Sequence, residues 1–413
     1  MNIREARLTV LHTWLRLAWV TGLALGLLLL PAPIVPPAAA DSAGATVAAE
    51  TNPIGVAVNP VTNKIYVANW GSNNVTAIDG TDNSTATVAA GTRPEAVAVN
   101  PVTNKIYVAN GASNNVTVID GATNITATVA VGTNPLAVAV NPVTNKVYVA
   151  NKYSNNVTVI DGTDNTTATV SAGTNPCAVA VNPVTNKIYV ANYSSNDVTV
   201  IDGADNTTDT VGAGTGPFAV AVNPVTNKIY VANKGSSNVT VIDGSSNIAT
   251  TVTAGTEPYA VAVNPVTNKI YVANYDSDDV TIIDATDNST VTVTAGTGPF
   301  AVAVNPLTNK IYVANDSSNN VTVIDGTDNT TTAVAAGTDP LGVAVNPVTN
   351  KVYVTNNGSA NVTVITPGRA EASPLTTNIT PLPGHATLLP RPTFCFSASS
   401  TFSPVTPPVR HIY

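Results

Sequence analysis

Histidine is missing from the body of this chain: the three present are His12, His385 and His411, and none falls between residues 41 and 366. That removes histidine metal sites, histidine-activated nucleophiles and axial haem ligation from this span. Cysteine is nearly absent as well, with Cys177 and Cys395 alone, too few for a disulfide framework. Glutamate occurs in the same span only at Glu50, Glu95 and Glu257, so no close carboxylate pair stands out for acid–base work. Charged residues make up only 10% of the sequence, and the net charge of −8 becomes −10 without residues 1–40, where Arg4, Arg7 and Arg16 outweigh Glu5. No cluster of Lys and Arg could grip phosphates, which argues against nucleic acid as a partner.

Long apolar runs are also lacking, apart from Leu17–Leu30. Its length of about 14 residues falls short of the roughly 20 that a spanning helix needs. With arginines before it and Ala38-Ala39-Ala40 after it, the run reads as a secretory leader over residues 1–40, removed after Ala40. The expected location is extracellular or in the cell envelope, with no stable membrane span left after processing.

What is present is repetition. The string Asn-Pro-Val-Thr-Asn-Lys-Ile-Tyr-Val-Ala-Asn starts at Asn59 and returns, nearly unchanged, at Asn100, Asn141, Asn182, Asn223, Asn264, Asn305 and Asn346, a spacing of 41 residues. A fixed period of this size decides the architecture before local propensity does. Each unit holds four strand-like runs, here lettered A to D; in the second unit they are EAVAV, KIYVAN, NVTVID and TATVAV. Val, Thr and Ala suit strands. Asn100-Pro101 opens a type I turn between A and B, and Asn104 suits the left-handed conformation that ends it.

Register follows from the hairpin. Placing Lys64 on strand B opposite Asp79 on strand C puts Asn69 opposite Asn74 and leaves the loop Trp70-Gly71-Ser72-Asn73. Lysine and aspartate then recur as exposed cross-strand pairs in seven units, each worth about 0.2–1 kcal/mol. Strand B is apolar on both faces, as in Ile65-Tyr66-Val67-Ala68, so the sheet must be covered on both sides. Radial stacking of small sheets does this: the expected fold is all-β, a propeller of four-stranded blades. A lone D-like run, Ala45-Thr46-Val47-Ala48, precedes the first A strand, and the last C strand (361–365) has no D strand after it. If the first run completes the last unit, the ring closes with eight blades and no exposed edge, seven being the alternative count.

Lys-Ile-Tyr-Val-Ala-Asn followed by Asn-Val-Thr-Val-Ile-Asp resembles the YVTN family of propeller repeats found in surface-layer and other exported proteins, over residues 45–365. Only Tyr353-Val354-Thr355-Asn356 spells the motif literally. Family propellers are often seven-bladed, and the count of eight departs from that. Residues 41–366 thus read as the propeller, and 367–413, with nine prolines, as a Pro-rich tail whose Phe394, Phe396 and Phe402 resemble the start of a further β domain.

In a meander the D–A and B–C connections share one face of the ring. All aromatics between residues 41 and 366 other than the strand-B tyrosine fall there: Trp70, Tyr153, Tyr193, Phe218, Tyr259, Tyr275 and Phe300. So do the charge outliers Arg93, Lys152, Lys234 and Glu257. The other face is nearly constant. Loops on a rigid scaffold carry binding, and aromatics give contact area at low entropic cost. This leads to the expectation of a non-catalytic surface module that recognises a cell-surface protein or glycan through these seven residues, with no cofactor and no metal. Alternatives from other classes are a self-associating surface-layer component, and an aspartate- or calcium-dependent enzyme. Asp161-Gly162-Thr163-Asp164-Asn165 and Asp276-Ser277-Asp278-Asp279 are rich in oxygen ligands but lack EF-hand spacing, and read as hairpin turns.

Overall fold

The computed structural model describes residues 40–368. The leader and tail readings therefore lie outside the described residues, except for Ala40, Pro367 and Gly368. Thirty-two strands, β1 to β32, run through the described residues and form eight four-stranded antiparallel sheets. The first blade is typical: β2 (Pro53–Asn59), β3 (Lys64–Asn69), β4 (Asn74–Asp79) and β5 (Thr85–Ala89) pair in chain order. The eighth is composite: β30 (Pro340–Val345), β31 (Val352–Asn356) and β32 (Asn361–Thr366) are followed by β1 (Ser42–Ala48). Thr46 lies opposite Thr363 and Val47 opposite Val362. Each blade's A strand neighbours the next, and β30 lies beside β2, so the eight A strands close a ring. Eight blades, not seven, is the count.

The double-sided apolar pattern is explained by the gaps between blades. Tyr66, Val75, Ala77 and Val88 of the first blade pack on Ile106, Val108 and Ile119 of the second. On the same strand as Tyr66, Ile65 and Val67 point the other way, to Tyr353, Val362 and Val364 of the eighth. Strand periodicity of two thus splits strand B into a forward face with the large tyrosine and a backward face with Ile and Val.

Turn chemistry follows the reading from sequence. Asn104 has φ 54°, and its seven counterparts from Asn63 to Asn350 are also left-handed. The asparagine ending strand A accepts a bond from the turn, as Val61 N donates to Asn59 Oδ1 at 3.1 Å. Its amide donates across the blade gap, Asn59 Nδ2 to Asn104 Oδ1 at 2.6 Å, and this link repeats from blade to blade until Asn346 reaches Asn63 at 2.7 Å. The A–B face therefore carries a closed circle of amide bonds.

The register of Lys64 with Asp79 and Asn69 with Asn74 is as expected, but the lysine–aspartate ion pairs are not formed. Lys64 Nζ donates instead to Gly121 O in the next blade at 3.2 Å, and Lys105, Lys146, Lys187, Lys228, Lys269 and Lys351 reach the corresponding carbonyls. Asp79 is engaged by its own turn, accepting Thr81 N at 2.8 Å. The backbone N–H two residues on is the nearer partner for a short carboxylate, which frees the long lysine stem to bridge blades.

One lysine differs. In the seventh blade Lys310 has no C–D turn ahead of it, because the eighth blade borrows β1. Asp41 fills the place: it accepts Lys310 Nζ at 2.5 Å, Tyr312 Oη at 2.9 Å and Gly368 N at 2.6 Å, with its side chain only 1% exposed. Burial and this carboxylate push the Tyr312 phenol far upward. Asp41→Asn keeps the shape but removes the charge from these bonds, with an expected loss of about 1–3 kcal/mol, readable as a lower urea midpoint at unchanged slope.

Candidate functional site

The loops that carry the variable residues are fixed by backbone bonds. In each blade the B–C loop docks on the D–A connection: Trp70 N donates to Asn52 O at 2.9 Å, Lys234 N to Gly216 O at 2.9 Å and Tyr275 N to Glu257 O at 2.9 Å. Both connections therefore share one face, as the meander requires. The residue before each A-strand proline is left-handed, including Arg93, Glu257 and Asp339, while glycine stands there at Gly216 and Gly298. At those two positions a Cβ would come within 3.3 Å of the rings of Tyr193 and Tyr275. Glycine makes room for tyrosine.

Five of the seven expected residues come together. Phe218, Tyr259 and Phe300, the second residues of successive A strands, stack around the mouth of the ring, with centroids 4.3 and 4.5 Å apart. Tyr275 packs on Tyr259 at 5.5 Å and edge-on to Phe300 at 6.4 Å, and Tyr193 meets Phe218 edge-on at 6.2 Å. The other two stand apart from this half-ring. Trp70 is covered by Arg93, 5.0 Å from its ring, and Arg93 is paired with Glu95 at 2.8 Å. Tyr153 is exposed and lies beside its neighbour Lys152 at 5.6 Å. All seven lie on the loops of one face, as expected; blade position around the ring, which a residue count does not display, brings five of them into contact and leaves Trp70 and Tyr153 outside that cluster.

Charged partners complete the half-ring. Lys234 Nζ sits 4.9 Å from the Tyr259 centroid and 5.9 Å from that of Phe218, and pairs with Glu257 Oε2 at 3.2 Å. Burial opposes the lysine's charge, but the bond to Glu257 outweighs it and leaves the ammonium pKa raised. Tyr275 Oη donates to Asp316 Oδ2 at 3.2 Å. Burial raises the Asp316 carboxyl from its ordinary value; the bond from Tyr275 works against this and Asp339 adds to it. Cys177, the counterpart of Phe218 one blade earlier, points its Sγ at Pro217 O, 3.3 Å away, and burial pushes its thiol up to about 12. A thiol so held stays protonated and is no nucleophile.

Lys234 and Glu257 were visible in the sequence only as charge outliers, and Asp316 was one of eight variable positions. Their signal is a spacing: Tyr275 and Asp316 are 41 residues apart, so equivalent sites in adjacent repeats touch. Among the described residues no group of three His, Cys, Asp or Glu is arranged to hold a metal ion. In the oxygen-rich turn at 161–165, Asp161 and Asp164 accept the amides of Thr163 and Thr166. A cleft of about 340 Å³ between outer strands of the sixth and seventh blades is lined by Thr294, Gly296, Asn320 and Thr332 with no titratable group, away from the mouth.

Residues 120–209 match the family described as lactonase, 7-bladed beta-propeller. None of the curated proteins matches the chain. Among solved structures it is similar to the hydrazine synthase of Kuenenia stuttgartiensis, with 19% identity and a TM-score of 0.56 over 76% of this chain and 95% of that one. The β-propeller family is thereby supported, here with eight blades. The likeness to the solved structure is one of fold. The reading of the chain as a non-catalytic surface module for a protein or glycan is overturned by the family match, which over residues 120–209 is to lactonase propellers.

Proposed function

We propose that this propeller acts on a small cyclic ester of the lactone class at the half-ring formed by Phe218, Tyr259, Tyr275 and Phe300. Hydrolysis of a lactone forms a bond from water oxygen to the carbonyl carbon, breaks the bond from that carbon to the ring oxygen, and moves a proton from water to the departing oxygen. A carboxylate that takes the first proton and returns it meets this need, and works best with a pKa raised toward the operating pH. Burial shifts Asp316 in that direction, against the bond from Tyr275 that orients it. The tilted rings, inclined by 39–50° to one another, give an apolar surface for a five- or six-membered ring. The observation that carries the reading is the Asp316 carboxylate held by Tyr275 beside these four aromatics, in a chain whose residues 120–209, outside those four, match the lactonase propeller family. Kinship with YVTN-type repeats is part of the same reading, supported by the eight copies of the strand-B motif.

The test is proton release from a panel of five- and six-membered lactones with the full chain. Asp316→Asn is expected to lower kcat by about 100-fold or more, and Tyr275→Phe by less. Activity is expected to fall on the acid side as Asp316 is protonated, with the midpoint of that limb shifted upward from the ordinary carboxylate value, because the free carboxylate is the active form. No hydrolysis above buffer across the panel, or full activity in Asp316→Asn, sinks the proposal.

A further inference from the structure

We infer that the aromatic half-ring is a cation site occupied by the chain's own Lys234, and that the group it takes from a ligand is an ammonium, primary or quaternary. The inference rests on the small-molecule reading of this mouth and specifies the ligand's charge. An ammonium held over aromatic faces and against a carboxylate is the arrangement by which proteins recognise organic cations. Here Lys234 Nζ has two ring faces, Tyr259 and Phe218, and the Glu257 carboxylate at 3.2 Å. Asp316 stands behind Tyr275 on the same half-ring. Acids outnumber bases at this spot, so a second cation is attracted and an anion repelled.

The lysine is an occupant that can leave. Its backbone is pinned by the bond from its N–H to Gly216 O and by Gly235 N to Thr215 O, both at 2.9 Å. Its side chain is held only by the rings and one partly exposed ion pair, an interaction of small net worth at a surface. Rotation of the stem into solvent leaves Glu257 and the stacked rings for a ligand's ammonium. The opposite assignment, Lys234 as an anchor for an anionic ligand, predicts the reverse response to its removal, so the two are separable.

The experiment titrates the full chain with tetramethylammonium and n-butylammonium, and with inorganic phosphate and acetate as anionic probes, following tyrosine fluorescence and calorimetry. Lys234→Met is expected to tighten binding of both ammonium probes about tenfold, and Tyr259→Leu to weaken it about tenfold in either background. Tyr259→Phe, which keeps the ring, is expected to bind as the parent does and guards against a folding artefact. Unchanged or weaker ammonium binding in Lys234→Met overturns the inference, as does anion binding that Lys234→Met abolishes. Ammonium binding without lactone hydrolysis sustains this inference and removes the proposed reaction; hydrolysis without ammonium binding does the opposite.

Discussion

A chain without residues 40–48 is expected to melt about 10 °C or more below the parent and to associate at micromolar concentration. The deletion removes β1, the outer strand of the eighth blade. Three losses combine. Val47, 5% exposed, leaves the cluster it shares with Ile65, Tyr353 and Val362, a loss of about 1.5–3 kcal/mol for one buried aliphatic side chain. Asp41 leaves Lys310 and Tyr312 without their acceptor, and taking one partner from a poorly exposed charge costs about 3–5 kcal/mol. The third loss is the ladder along β32, from Thr366 to Asn361, which becomes an open edge. Together these approach the whole net stability of a typical domain, about 5–15 kcal/mol.

A rearranged chain separates strand loss from mere shortening. Moving residues 41–50 behind Thr366 through an Asp-Gly turn, so that the eighth blade is continuous like the other seven, is expected to restore the melting temperature and the elution volume of the parent. A deletion variant that melts and elutes like the parent, by differential scanning calorimetry and size exclusion, would show that closure through β1 does not hold the ring.

Much of this architecture was legible because the period is strict. Eight copies of one string indicate register and turn type at once and favour eight blades over seven, and the lone run at 45–48 suggests where the eighth blade finds its last strand. The period is silent on what lies across a blade gap. Lys64 and Asp79 are true cross-strand neighbours, yet the ammonium crosses to Gly121, because partner choice depends on the spacing and phase of adjacent blades. Asp41 carried no signal of its own: its role arises from the missing C–D turn of the eighth blade. In the candidate site, sequence placed all seven aromatics on one face but could not show that five gather on blades four to seven while Trp70 and Tyr153 stand alone. The acid partner of Tyr275 was equally hidden. It becomes visible only when a position is compared with its counterpart one repeat later.

Departures from the repeat also mark the seam on its inner side, and they carry the second large effect. Where the second to seventh blades have alanine as the third residue of strand A, the eighth has Gly342, and where seven copies of strand B have alanine, it has Thr355. Thr355 lies opposite Gly342. Its hydroxyl accepts Gly342 N at 2.8 Å and donates to Ile54 O of the first blade at 2.9 Å, tying the last A strand to the first. A Cβ on Gly342 would fall closer to Ile54 O than real Cβ atoms come, with Thr355 Oγ1 2.7 Å away. The nearest obstacle is backbone, so it cannot turn aside as a side chain would. Gly342→Ala must therefore push the first and eighth blades apart and break both hydroxyl bonds, an expected loss of about 3 kcal/mol or more. Gly55→Ala, whose Cβ would sit 3.0 Å from Glu95 O, is expected to lose less, because a shift of a few tenths of an ångström relieves it. Urea unfolding of the two variants checks the order: Gly342→Ala should show the larger drop in midpoint, and equal midpoints for the two, or a parent-like Gly342→Ala, would mean that the inner seam is not tightly packed. Thr355→Ala, which removes the tie to Ile54 O and restores the residue of the other seven copies, should rescue Gly342→Ala in part, since the second to seventh blades hold alanine at both positions.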